Sequence, residues 1–415
     1  MIRKEKTDNL ISLLLLYNMF NISDPTPNPA DFMVDGSHLR YVKYAAGDQI
    51  YKILSSDALF AFNSELSNDW TENTGISADE RNDTYITCFY CDKEINNPSD
   101  VYSQWTGYCS AGGVAIEFYF GQNIVFQTLE PTIKNCKGDL SGDALKDCKS
   151  KIADLVNGIV SGSQHLFDYS LMSSDKDDGS EYILYPLFPL PVSYVQPDDN
   201  GIDIQLNDTN ISTLTNCVNE INKRFLDLDK ISLSHYAPYI KHFGFHQEQE
   251  ARLAFVNRNN ALSGCIRFLG DKKVPYIMVK FGNQDDNLHP CNMLDPYEGS
   301  TLDEKAKAYF QDINNVLGKN SSVPIIIPQG YNQEEVYNAI EKQVLDYNLN
   351  KKVGNKMSII CQGHLPITKI TLAPTSDKEL LKKKLEIFCK SKYWLRNVEI
   401  CTSKLPYNMI NINHT

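Results

Sequence analysis

Apolar residues recur at helical spacing over residues 143–160, where Leu145, Cys148, Ile152, Leu155 and Ile159 fall three or four apart behind a candidate N-cap, Asp143. The same period predicts a short helix over 48–55, with Ile50, Ile53 and Leu54 on one face, and a longer one over 212–226. Thr301-Leu-Asp-Glu304 reads as a capping box opening a helix that closes at Gly318. Runs rich in aromatic and β-branched residues predict strands over 59–62, 85–90, 114–120, 243–256 and 274–281. Tyr182 to Tyr194 carries Pro186, Pro189 and Pro191, which is awkward for a central strand. Towards the C-terminus, Ile325–Ile327 precedes a helix around 334–346, and Ile370–Ala373 precedes a helix over 379–389 and a strand over 398–401. The strand-rich stretches of residues 39–260 lack a regular strand–helix alternation. The expectation is an α+β fold, with a mixed, mostly antiparallel central sheet, flanking helices and a C-terminal strand–helix–strand unit.

Polar punctuation sets the expected domain limits. An N-terminal helix and a Pro-rich linker (Pro25, Pro27, Pro29) occupy 1–35. A single domain then covers 36–407, with large insertions at about 121–240 and 285–360, and 408–415 form a tail. The N-terminal run MIRKEKTDNLISLLLLYNMF has the charge order of a signal peptide, but Ser12, Tyr17 and Asn18 interrupt it. It has no small-x-small cleavage pattern and is too short to span a bilayer, so no membrane partner is expected.

With 42% apolar and 22% charged residues, the 415-residue chain can bury an ordinary core without a metal or disulfide staple. A net charge of −12, from 40 basic and 52 acidic residues, argues against general nucleic-acid binding. The 11 cysteines are odd in number and mostly lie in apolar runs, which reads as reduced thiols in a cytoplasmic protein. Cys88-Phe-Tyr-Cys91 is a lone CxxC with no matching second pair.

Four ordered stretches together resemble one bacterial family, the domain of unknown function 2971 (DUF 2971). The first holds Lys43, Tyr44, Ile53, Leu54, Leu59, Phe60, Asn68, Asp69 and Glu72, with Trp70 where the family usually has proline. The second is Cys88-Phe89, Trp105-x-x-Tyr108 and Gly113 to Phe118. The third is Lys241 with Glu248-x-Glu250-x-Arg252-Leu253. The fourth is Ile367 to Ile370 with Pro374, then Ser403-x-x-Pro406-Tyr407. The resemblance spans residues 39–407 and carries no declared function.

The order of the first three stretches is also similar to that of ADP-ribosyltransferases. That resemblance implies NAD as a substrate, Glu250 and Glu248 as catalytic carboxylates, and Lys43, Tyr44, Trp105, Tyr108 and Arg252 around the cofactor. The chemistry is coherent, because breaking the nicotinamide–ribose bond builds oxocarbenium-like charge that a carboxylate offsets. On one strand, Glu248 and Glu250 would face the same cleft, one holding the ribose and the other activating a macromolecular or small-molecule acceptor. No His or Arg stands at the expected first-strand position, so Lys43 or Tyr44 would serve. Arg252 shares the parity of both glutamates, so a salt-bridged row accounts for the same residues. The alternative to the enzyme is therefore a non-enzymatic interaction module of a bacterial stress or defence system.

His242 and His246 lie four apart, as in some metal sites, but Gly244 between them weakens a helical reading and no third ligand is spaced with them. No metal is expected, and a hydrolase built on these histidines is the least favoured reading. Lys382, Lys383 and Lys384 lie on a helix whose apolar face is Leu381, Leu385 and Phe388, and they read as its solvated face.

Overall fold

The computed structural model describes residues 41–66, 84–91, 98–109, 112–120, 143, 169–172, 181–184, 189–195, 237–256, 262–270, 273–281, 294–317, 325–327, 332–351, 357–361, 363–375 and 378–406. Along the chain the first elements are β1 (Tyr41–Ala46), α1 (Gln49–Ser56), β2 (Ala58–Asn63), β3 (Thr84–Tyr90), α2 (Tyr102–Tyr108) and β4 (Gly113–Phe118). There follow β5 (Tyr169–Met172), β6 (Glu181–Leu184), β7 (Leu190–Pro191), β8 (Ser193–Val195), β9 (Ile240–His242), β10 (Glu250–Val256), β11 (Arg267–Leu269) and β12 (Val274–Phe281). The last third holds α3 (Leu302–Leu317), β13 (Ile325–Ile327), α4 (Gln333–Lys351), β14 (Ile359–Cys361), β15 (Ile367–Leu372), α5 (Lys378–Lys390) and β16 (Glu399–Thr402). The fold is α+β, with mixed, mostly antiparallel sheet strands and flanking helices. The helices expected over 143–160 (Asp143 apart) and 212–226, and the N-terminal helix and linker, lie outside the described residues.

The chain divides into two compact units: Met1–Tyr41, Leu59–Ile95 and Phe120–Lys280 form the first, and Val42–Ala58, Asn96–Tyr119 and Phe281–Thr415 the second.

In the first unit, β10 runs antiparallel to β3 over seven pairs, from Glu250↔Tyr90 to Val256↔Thr84. Among the described residues its other edge takes the two-residue β7, at Ala251↔Pro191 and Arg252↔Leu190. Pro191 thus lies in a short strand and Pro189 just before it, where a missing N–H is tolerated. β3 pairs with β2, β2 neighbours β12, and β12 pairs with β11, while β8 and β9 form a separate parallel pair. Tyr41, Phe89 and Phe120 meet edge to face at centroid distances of 5.4 to 6.1 Å, and the Tyr41 hydroxyl donates to the Pro189 carbonyl at 2.9 Å.

In the second unit the strand order is β1–β4–β15–β16. β15 is antiparallel to β4 and parallel to β16, and α5 makes the crossover that a parallel pair requires. Every position of β4 is buried, so side chains cover both its faces. Gly113 opens β4 where a Cβ would stand 2.3 Å from the Ala45 carbonyl oxygen, so only glycine admits this approach to β1. β13 and β14 form a parallel pair whose core is closed by Phe310 of α3 and by Tyr337, Ile340 and Val344 of α4. The capping box forms as its spacing predicts: Thr301 Oγ1 accepts the Glu304 N–H at 3.2 Å, and Glu304 Oε2 accepts the Thr301 N–H at 3.0 Å.

One strand expectation is shorter in the structure. Residues Phe243–Glu248 form a 3₁₀ turn rather than the start of a strand, and Gln249 adopts a left-handed φ of 41° before β10 begins. The cause is local: His242 Nδ1 accepts the Gly244 N–H at 2.9 Å, which turns the chain at once.

Candidate functional site

In the first unit, β9, the 3₁₀ turn and β10 bring four charged side chains together. Lys241 Nζ on β9 donates to Glu248 Oε2 at 2.6 Å and to Glu250 Oε2 at 3.1 Å. Arg252 faces the same carboxylate with two donors: Nε reaches Glu250 Oε1 at 3.0 Å and Nη2 reaches Oε2 at 2.8 Å. Its Nη1 donates to the Pro238 carbonyl at 2.8 Å, so the guanidinium, only 1% exposed, is bonded through all three nitrogens. Lys241 also lies 4.9 Å from the centre of the Phe245 ring.

The order of burial matters to the chemistry. Arg252, Glu250 and Lys241 are buried, whereas Glu248 is 28% exposed at the outer end of the row. Burial alone would raise the Glu250 pKa, but the charges of Arg252 and Lys241 and hydrogen bonds from Arg252 and Cys88 outweigh it and hold the carboxyl at about 2. Glu250 is therefore a fixed anion. Oε2 accepts from both Lys241 and Arg252 and Oε1 accepts from Arg252, so the charge is already offset inside the protein. The Glu250 N–H donates to Tyr194 Oη at 2.8 Å, and burial, reinforced by the Glu250 charge, pushes the Tyr194 phenol well above its ordinary range. Tyr239, pushed up by burial, accepts the Ala254 N–H at 3.3 Å from the same wall.

The remaining sequence candidates belong to the second unit. Tyr44 on β1 donates to the Pro98 carbonyl at 2.8 Å and accepts the Val101 N–H at 3.0 Å. Its ring meets the buried Trp105 edge to face at 4.9 Å. Trp105 Nε1 donates to Asp100 Oδ1 at 3.0 Å, and Asp100 also accepts from the Ser403 hydroxyl and, at 2.8 Å, from the Lys404 N–H. Tyr44, Trp105 and Ser403, drawn from three of the four family-like stretches, thus share one partly buried junction. Lys43 is half-buried on β1, and Tyr108 is 52% exposed at the end of α2. The structure gathers Glu248, Glu250 and Arg252 in the first unit, and Tyr44 with Trp105 in the second.

Two features escaped the sequence reading. Lys241 joins the two glutamates, a role that the resemblance, which includes this lysine, does not assign. In the second unit, Asp57 Oδ2 lies 2.6 Å from His364 Nδ1, His364 Nε2 lies 2.8 Å from Tyr393 Oη, and that hydroxyl donates to Gln333 Oε1 at 2.9 Å. Asp57 Oδ1 also accepts the Leu365 N–H at 3.0 Å, and the imidazole stacks on Trp394 at 4.0 Å. Asp57 and His364 are 307 residues apart, and no spacing signal connects them. This row links the end of α1, the start of α4 and the segment after α5. It resembles a proton relay in form, yet every hydrogen-bonding group in it already has a partner that ties two elements together.

His242 and His246 do not share one helix face. His242 Nδ1 caps Gly244, and the His246 ring stacks on Phe243 at 4.5 Å with Nδ1 2.9 Å from the Phe243 carbonyl oxygen. Among the described residues no group of three or more His, Cys, Asp or Glu is placed to hold a metal ion. None of their helices is long and apolar enough to cross a membrane. No protein-family model, curated protein or solved structure matches the chain.

Proposed function

We propose that the chain is a non-enzymatic interaction module, in which Lys241, Glu248, Glu250 and Arg252 brace the first unit instead of performing chemistry. One observation carries this reading: both oxygens of Glu250 are held by buried cations. A carboxylate that stabilises a sugar cation must turn its charge towards the ribose, whereas the charge of Glu250, only 8% exposed, is already offset by Arg252 and Lys241. A bacterial stress or defence system is the setting we propose for it. The test is incubation of the full chain with NAD labelled in the nicotinamide. The reading expects no release above the uncatalysed rate from the native chain, from Glu250→Gln or from Glu248→Gln. Release by the native chain that either variant abolishes would overturn it.

One observation favours a second reading, an NAD-dependent ADP-ribosyltransferase-like enzyme. Glu248 stays partly open to water while Lys241 fixes one of its oxygens. Transfer to an acceptor would then run through Glu248, with Glu250 a positioning residue that holds Lys241 in place. On this reading Glu248→Gln lowers nicotinamide release by roughly a hundredfold, the scale for losing one preorganised group.

A further inference from the structure

The inner face of α5 is ordinary. Leu385 and Cys389 are buried, and the Phe388 ring meets Tyr51 edge to face at 5.7 Å. The outer face is not. Leu380 is 59% exposed and Ile387 is 73% exposed. They stand seven residues apart, so they share one face two turns apart, about 10 Å along the axis. At 100° per residue, Lys383 lies on one side of this ridge and Lys384 on the other, both exposed, and the exposed Lys390 extends the Lys383 side. Lys383 and Lys384 make no hydrogen bond or ion pair to the described residues. Residues 378–392 hold six lysines against two glutamates, a local +4 in a chain of −12.

A solvated face accounts for the lysines. It does not account for two large aliphatic side chains one heptad apart between them. That arrangement is one seam of a helix pair, with apolar positions at the seam and charged positions beside it that choose the partner. We propose that the outer face of α5 docks an acidic amphipathic helix of a partner protein, whose apolar stripe covers Leu380 and Ile387 and whose carboxylates face Lys383, Lys384 and Lys390. A groove of about 550 Å³ between α5, α4 and β16 opens on another side of α5, lined by Lys382, Glu386 and Lys390 with the half-exposed Leu345, and does not include the ridge. Self-association through this face would set lysine against lysine. A phosphate backbone would leave the two aliphatic side chains unused. Two aliphatic residues are also too little apolar surface to seat a helix in a bilayer. The inference deepens the interaction-module reading and rests on it only in taking the chain to act by association, so nicotinamide release tests that reading separately.

The test is fluorescence anisotropy with the full chain and a labelled three-heptad peptide, with leucine at the seam and glutamate on both flanks. Comparison probes are the same peptide with lysine flanks, a mixed-sequence single-stranded RNA, and vesicles of anionic phospholipid. The acidic peptide is expected to bind, more weakly as salt rises, and the basic peptide not to bind. Leu380→Ser with Ile387→Ser should weaken binding roughly tenfold or more, since the seam side chains carry the apolar contact. Lys383→Glu with Lys384→Glu should abolish it. These side chains are exposed, so melting curves of both variants should match that of the native chain. No binding of the acidic peptide, binding that neither variant weakens, or equal binding of the RNA or vesicles would overturn the proposal.

Discussion

Replacing Glu250 with Gln tests the brace where it is most constrained. The substitution preserves shape and one acceptor oxygen but removes the charge between Arg252 and Lys241. Neither cation can turn to water, because both are buried and Arg252 is also tied to Pro238. Removing one partner of a buried ion pair costs about 3–5 kcal/mol. The carboxyl's own titration gives a similar scale: a group held at about 2 instead of 4.5 contributes about 3 kcal/mol at neutral pH. The sign follows from the depressed folded-state value. The contribution is fully present above the unfolded value of about 4.5, and is lost as pH falls towards 2. Urea melts of the native chain and Glu250→Gln should therefore differ by about 3 kcal/mol at neutral pH and by about half that near pH 3. A difference under about 1 kcal/mol at neutral pH, or a gap that does not change with pH, would refute the reasoning.

Other outcomes follow from the same contacts. Asp57→Ala removes acceptors from both His364 and the Leu365 N–H, and should cost about 2–3 kcal/mol in a denaturant melt of the second unit. Thr301→Ala deletes the side-chain half of the α3 capping box and should cost about 1 kcal/mol, read as a lower denaturation midpoint. Leu385→Ala opens a cavity under α5 and should cost about 2–5 kcal/mol, whereas serine at the exposed Ile387 should leave the melt unchanged.

Local pattern made much of the fold legible. The capping box at Thr301 and Glu304, the alternating strand Val274–Phe281 and the crossover from Ile370 to Cys401 each rest on contacts within one or two elements, so periodicity and turn chemistry find them. The charged site was half legible. The spacing of Glu248, Glu250 and Arg252 put them on one face, but they meet by another route. Gln249 in a left-handed conformation ends any continuous strand, and a non-glycine residue in that region carries no sequence signal. It is Lys241, from the neighbouring strand β9, that draws Glu248 back to Glu250. The Asp57–His364–Tyr393 row was not legible at all, because its members are joined only by the packing of α1, α4 and the segments around β15 and α5. The lysines of α5 were legible as a solvated face, but the exposure of Leu380 and Ile387 between them depends on which side of the helix the core takes.

The claim that Glu250 is a structural anion is tested most directly by a double-mutant cycle. Glu250→Gln, Arg252→Met and the pair together would be compared with the native chain in urea melts at neutral pH. The brace predicts a coupling energy of about 3 kcal/mol, with the double variant more stable than additivity allows, because removing both charges leaves no uncompensated ion between them. Additive effects within about 0.5 kcal/mol would contradict it.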